Sequence, residues 1–112
     1  MPESRKTAII RELNDKLRQN DAGGQVVVSG ALAHEDSDLI QRVRDAVRNA
    51  EIATGDGNDP YSEHDFGSVD VDGERYFWKI DYYNKEMDAG SEDPSDARQT
   101  VRLLTIMCAS DY

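Results

Sequence analysis

The feature that most restricts the fold of this chain is an Asp-Gly pair, Asp72-Gly73, between two segments of alternating polarity. Such a pair is suited to a two-residue type I′ turn, which joins antiparallel strands. Pairing Val71 with Glu74 fixes the register, because strand side chains alternate between the two faces of a sheet. One face then carries Val69, Val71, Tyr76, Trp78, Ile80 and Tyr82; the other carries Phe66, Ser68, Asp70, Arg75, Phe77, Lys79, Asp81 and Tyr83. We predict that the first face is buried in the core.

Two helices are expected before this hairpin. In the first, Ile9, Leu13 and Leu17 recur at steps of four, and the helix should end before Gly23-Gly24. The second is expected from about residue 35 to residue 50, because apolar residues share one face and acidic residues precede them. The apolar set is Leu39, Val43, Ala46, Val47 and Ala50.

Two further segments favour strands. Residues 25–32 contain three consecutive valines and are short, as in a buried strand. Residues 100–109 are rich in β-branched residues but also fit a helical stripe, and we predict a strand there. The order is helix-strand-helix-strand-strand-strand. It indicates one α+β domain spanning residues 1–112, with a four-stranded, largely antiparallel sheet and both helices packed on one face.

Charge is unevenly distributed along the 112 residues, whose formal net charge is -10. Residues 1–50 carry 8 acidic and 8 basic side chains, whereas residues 51–96 carry 14 acidic and 3 basic ones, a net charge of -11. Such a segment repels nucleic acid and acidic membranes and attracts cationic surfaces. Solubility is the simpler explanation, since a charged run is often only a solvated face.

The sequence also limits location and cofactor chemistry. No apolar run reaches the roughly 20 residues of a membrane span, and the charged start differs from a signal peptide, so we expect a cytoplasmic protein. The single cysteine, Cys108, lies in an apolar run and is expected to be an inert thiol. We find no zinc-ligand pair on a helix, phosphate-binding glycine loop or nucleophile elbow, and expect no metal and no cofactor.

The residues best suited to chemistry lie on a predicted loop. Glu63, His64 and Asp65 are the candidate catalytic group, since an imidazole titrates near neutrality and paired carboxylates shift each other's pKa. Consecutive side chains point in different directions on an extended backbone, so at most two would converge without a sharp turn. A structural role, with turn-capping carboxylates and a histidine bound to the chain, is the alternative.

Two segments, 58–67 (Asn-Asp-Pro-Tyr-Ser-Glu-His-Asp-Phe-Gly) and 79–83 (Lys-Ile-Asp-Tyr-Tyr), resemble the signatures of a bacterial family of unknown function. The resemblance extends over nearly the whole chain. Ser62 departs from it, because the family usually has glycine there. The resemblance implies no activity, but such proteins look like those of plasmids and other mobile elements of proteobacteria, a setting rich in inhibitors of host defence.

Two hypotheses of function follow. The first is a binding protein that inhibits a host defence or nucleic-acid-handling complex, of the anti-CRISPR or anti-restriction kind. Its partner would be a protein with a basic surface, with no direct binding to nucleic acid or membrane. The second is a small hydrolase or transferase that uses Glu63, His64 and Asp65, with or without a metal. The candidate binding residues are Asp56, Asp59, Tyr61, Glu63, His64, Asp65, Lys79, Asp81, Asp88, Glu92 and Asp93.

Overall fold

The computed structural model describes residues 4–50 and 63–112, which contain two α-helices and one four-stranded sheet. The predicted loop at residues 55–60 lies outside the described residues. The elements, in chain order, are α1 (Arg5–Asn20), β1 (Gln25–Val28), a 3-10 turn (Gly30–His34), α2 (Ser37–Arg48), β2 (Phe66–Val71), β3 (Glu74–Tyr83), β4 (Val101–Cys108) and a second 3-10 turn (Ala109–Asp111). The predicted α+β class and order of elements are confirmed.

The hairpin has the predicted register. β2 and β3 are antiparallel, with Val71 opposite Glu74, and Asp72 and Gly73 both take positive φ. Trp78 is completely buried, and Tyr76 and Ile80 are nearly so. The predicted inner face of β3 is therefore confirmed.

The strand at the end of the chain is also confirmed. β4 pairs antiparallel with β3 on one side and parallel with β1 on the other, which gives the sheet order β1-β4-β3-β2. The sheet is therefore mixed, with two antiparallel contacts and one parallel contact. Its central strands, β3 and β4, supply five of the nine side chains of the buried hydrophobic cluster, from Tyr76 to Ile106.

The prediction for residues 25–32 was wrong in its length and in its burial. β1 stops at Val28, because Gly30 takes a φ of 62° and starts a 3-10 turn that carries Leu32 into the core. β1 is an edge strand of the sheet, and its residue Val27 is 38% exposed. Three consecutive valines indicated a strand but gave no information on its position in the sheet.

The two helices pack on the same face of the sheet, as predicted. α2 lies against β2 and begins at Ser37, later than the expected residue 35, because the Asp36 side chain caps it by accepting from the Leu39 amide. The buried stripe of α1 differs from the predicted one. Leu17 is buried, but Ile10, Asn14 and Arg18 accompany it, while Ile9 and Leu13 remain half-buried.

Within residues 4–50 and 63–112, neither helix is long and apolar enough to cross a bilayer.

Candidate functional site

The predicted catalytic group lies where β2 begins and β3 ends. Tyr82, on the inner face of β3, donates its hydroxyl hydrogen to Glu63 Oε1 at 2.9 Å. Asn14 of α1 donates through Nδ2 to the Glu63 carbonyl at 3.0 Å and to the Tyr82 hydroxyl at 2.7 Å. Both the backbone and the carboxylate of Glu63 are thus held by neighbouring elements.

A buried arginine completes this network. Arg102 of β4 donates through Nε to Asn14 Oδ1 at 3.0 Å, and its Nη2 donates to the Pro94 carbonyl. Its guanidinium carbon lies 5.4 Å from the centre of the Tyr82 ring. Arg102 is 1% exposed and Asn14 is fully buried, so their polar atoms depend on protein partners instead of bulk water. We call Asn14, Glu63, Tyr82 and Arg102 the polar network.

Burial sets the ionisation of the polar network. It raises the pKa of Tyr82 far above its ordinary value, and the hydrogen bond to Glu63 acts in the same direction. Burial also lowers the pKa of Arg102, an effect that the nearby Tyr82 and Glu63 oppose. Tyr82 therefore keeps its proton and serves as a hydrogen-bond donor, a role that suits support of the chain better than acid–base exchange.

His64 and the backbone of Asp65 make contacts different from those of the Glu63 carboxylate. His64 has a φ of 55°, a left-handed conformation that produces a sharp turn, and its Nδ1 lies 2.8 Å from Asp15 Oδ1 on α1. The Asp65 carbonyl accepts a hydrogen bond from the Ile80 amide at 2.8 Å, which extends the β2–β3 ladder by one residue. Glu63 therefore contacts the polar network, His64 contacts α1, and the backbone of Asp65 belongs to the sheet.

The other candidate binding residues lie apart from this group. Lys79 and Asp81 sit on the outer face of β3, 3.0 Å from nitrogen to oxygen, and Asp81 raises the pKa of Lys79 through that contact. Asp56, Asp59 and Tyr61 fall outside the described residues. No three metal-ligating side chains converge anywhere in the described ranges 4–50 and 63–112.

The long connection between β3 and β4 holds three of the predicted acidic residues in different environments. The Asp93 carboxylate accepts hydrogen bonds from the Ser95 hydroxyl and amide and from Lys6, and these bonds lower the pKa of Asp93. The Asp93 carbonyl accepts a hydrogen bond from the Thr100 hydroxyl. Asp88 accepts from Asn84 Nδ2 at 2.7 Å. Glu92 is exposed. Asp93 therefore shapes the connection, whereas Asp88 and Glu92 face solvent.

Local pairing reduces the negative charge of the acidic segment. Basic side chains contact Asp70, Asp72 and Asp96, and two of these three contacts join residues no more than five positions apart in the sequence. The pairs are Asp70 with Arg75, Asp72 with Arg42, and Asp96 with Arg98. Counting charges along the sequence thus overstates the field of this region.

Sequence reasoning missed Asn14 and Arg102, the two most buried members of the polar network. An asparagine at a core-facing position of an amphipathic helix was the available signal, because a buried amide needs partners. The partners come from residues 63, 82 and 102, which no local pattern connects with residue 14.

Neither the curated proteins nor the solved structures gave a match to this chain. A family described as "Protein of unknown function (DUF3768)" matches residues 25–111, which include every strand of the sheet and α2. The chain therefore belongs to the DUF3768 family.

Proposed function

We propose that this protein is a small acidic binding protein that docks on a basic surface of a partner protein. The observation that carries the proposal is the state of three carboxylates in the β3–β4 connection. Glu86, Asp88 and Glu92 are exposed and make no ion pair among the described residues. We call these three residues the acidic triplet.

The acidic triplet differs from the two other carboxylates of the β3–β4 connection in its availability. Asp93 and Asp96 in the same connection already accept several hydrogen bonds, which would have to break before a new partner could bind. Among the described residues, the acidic triplet has one such bond to lose, from Asn84 to Asp88, although Lys85 and Arg98 lie in the same groove as Glu86 and Glu92. The acidic triplet also adds to the long-range attraction that speeds encounter with a cationic surface.

The class of partner follows from this charge and from the resemblance in the sequence. Proteins that hold nucleic acid present clusters of lysine and arginine, and a carboxylate surface competes for them in place of phosphate. The resemblance to proteins of proteobacterial mobile elements favours a host defence complex as the target. On this proposal the protein is a cytoplasmic inhibitor of the anti-CRISPR or anti-restriction kind.

Reversal of the acidic triplet tests the proposal. The variant Glu86→Lys, Asp88→Lys, Glu92→Lys is expected to lose at least tenfold in affinity for the partner, while its circular dichroism spectrum is unchanged. The measurement is an affinity pull-down from nuclease-treated host lysate, eluted by a salt gradient and identified by mass spectrometry. Binding that weakens as salt rises agrees with an ionic contact.

A second triple variant controls for net charge. Glu12→Lys, Glu35→Lys, Glu74→Lys makes the same charge change at exposed positions on α1, before α2 and on the hairpin. It should retain the partner. Equal losses in both variants would contradict a localised contact, and retention of a nucleic-acid-binding partner by the acidic-triplet variant would overturn the proposal.

The alternative, a small hydrolase or transferase, is favoured by one contact. The Asp15 carboxylate 2.8 Å from His64 Nδ1 is the arrangement by which an acid orients an imidazole that acts as a general base. His64→Ala is then expected to abolish turnover of activated ester or phosphodiester substrates, whereas Asp15→Asn lowers it. Equal rates for the His64→Ala variant and the unmodified protein would exclude this role.

A further inference from the structure

β2 is the outermost strand on one side of the sheet, and half of its backbone hydrogen-bonding groups point away from β3. The Ile80 amide donates to the Asp65 carbonyl, which makes residues 65 and 80 a hydrogen-bonded pair of the antiparallel ladder. Hydrogen-bonded and non-hydrogen-bonded pairs alternate along such a ladder. With the observed register, the N–H and C=O groups of Phe66, Ser68 and Asp70 therefore point outward. We call these backbone groups the β2 edge.

The β2 edge has no hydrogen-bond partner among residues 4–50 and 63–112. Ser68 and Asp70 are exposed, so water reaches this side of the strand. Proteins usually shorten or interrupt such an edge, because a row of unpaired backbone groups pairs readily with another chain. β1, at the opposite edge of the sheet, has only four residues, whereas β2 has six in one continuous register without proline or a bulge. Another strand can therefore be added at the β2 edge.

We propose that the β2 edge binds an extended segment of a partner protein, which adds a fifth strand to the sheet. The three outward residues offer three N–H donors and three C=O acceptors. An extended chain matches them, because its own outward groups recur at every second residue, about 6.8 Å apart. The proposal goes beyond the acidic triplet, which lies in the β3–β4 connection and not on β2.

The side chains along β2 specify the chemistry of the added strand. Val69 and Val71 lie on the inner face and are only half-buried, so apolar side chains of the added strand would cover them. Ser68 and Asp70 are exposed on the other face. Side chains of neighbouring strands meet on the same face of a sheet. The segment that fits is therefore apolar at alternate positions and polar or basic between them.

Charge favours a basic segment over a second copy of this chain. Residues 63–74 contain five acidic side chains and neither lysine nor arginine. Arg75 and Arg42 offset two of these charges, at Asp70 and Asp72. A second copy would bring the same acidic segment against itself, and the two chains, each of net charge -10, would repel each other. A lysine or arginine of the added strand would instead meet opposite charge.

A peptide of alternating lysine and valine tests the proposal. The probe is acetyl-Lys-Val-Lys-Val-Lys-Val-Lys-amide, and the measurement is hydrogen exchange of single backbone amides by NMR. Saturating peptide should slow the exchange of Phe66, Ser68 and Asp70 at least tenfold, because their amides gain acceptors. The amides of Gly67 and Val69 bond to β3 in both states and should change little. The same peptide with glutamate in place of lysine is the charge control and should protect none of them.

Two variants of Ser68 separate backbone pairing from side-chain contact. Ser68→Pro removes an outward N–H without breaking a bond to β3, a position at which an edge strand tolerates proline. It should weaken binding of the lysine–valine peptide at least tenfold in an NMR titration, whereas Ser68→Ala should bind as the unmodified protein does. Equal affinity in a folded Ser68→Pro variant would overturn the proposal. If that variant does not fold, the exchange pattern of the unmodified protein decides, and failure of the peptide to protect alternate residues of β2 would overturn the proposal.

The acidic-triplet variant separates this proposal from the proposed function. Glu86→Lys, Asp88→Lys, Glu92→Lys leaves β2 unchanged, so saturating peptide should still protect the three outward amides. Loss of that protection would place the peptide on the acidic triplet, and would overturn the β2 edge without affecting the proposed function. A concentration-dependent dimer that protects the same amides without peptide would assign the edge to a second copy and would likewise overturn the proposal.

Discussion

Replacing Asn14 by Ala is expected to lower the free energy of unfolding by about 3 kcal/mol, because it leaves buried polar atoms without partners. Asn14 is fully buried and makes three hydrogen bonds, to the Glu63 carbonyl, the Tyr82 hydroxyl and Arg102 Nε. The largest part of the cost is at Arg102, since a buried guanidinium that loses an acceptor cannot recover it from water. Urea unfolding followed by circular dichroism measures the change.

Gln19→Ala is the matched control for this variant. Gln19 is exposed on the same helix, so the substitution also introduces an alanine into α1 but does not touch the polar network. Its free energy of unfolding should stay within about 0.5 kcal/mol of the unmodified protein. An Asn14→Ala variant as stable as the Gln19→Ala variant would show that the polar network contributes nothing to stability.

The elements that the sequence predicted correctly are those governed by local rules. The hairpin register followed from Asp72-Gly73 alone, because a two-residue turn leaves no freedom in which residues are opposite each other. The strand at Val101–Cys108 followed from its β-branched residues. The parallel pairing of β1 with β4 was not predicted, since contacts between residues about 78 positions apart leave no local pattern.

The interior of α1 was mispredicted for a related reason. A hydrophobic stripe identifies Leu17 correctly but assigns Ile9 and Leu13 to the core in place of Asn14 and Arg18. Arg18 is buried because its Nη1 donates to carbonyl oxygens at the end of α2, including that of Val47 at 2.9 Å. Polar side chains enter a core where distant elements supply acceptors, and the hydropathy of one segment carries no information about those elements.

Consecutive side chains at residues 63–65 were expected to diverge on an extended backbone, and in the structure Glu63 and His64 contact Tyr82 and Asp15 separately. The left-handed backbone of His64 was not predicted, although histidine is one of the non-glycine residues enriched in that conformation. The charge of the acidic segment was likewise correct as a count, but it gave no indication of which carboxylates are already paired.

Gly67→Ala is expected to destabilise the protein by about 2 kcal/mol through overpacking. Gly67 of β2 lies directly opposite Trp78, and a Cβ at this position would lie 2.6 Å from Cζ2 and 2.7 Å from Nε1 of the indole. Trp78 is fully buried, so the ring has no space into which to move. The absence of a side chain at residue 67 is therefore what allows the tryptophan to fit under β2.

A double-mutant cycle with Trp78→Phe isolates this contact. Phenylalanine removes the clashing edge of the indole, and with it the Nε1 hydrogen that has no hydrogen-bond partner, which offsets part of the cost of the smaller ring. Gly67→Ala should consequently cost at least about 1 kcal/mol less in the Trp78→Phe background than in the unmodified protein. Additive effects in urea unfolding would mean that the strain at residue 67 has a different origin, because only a direct clash between the new methyl group and the indole makes the second substitution relieve the first.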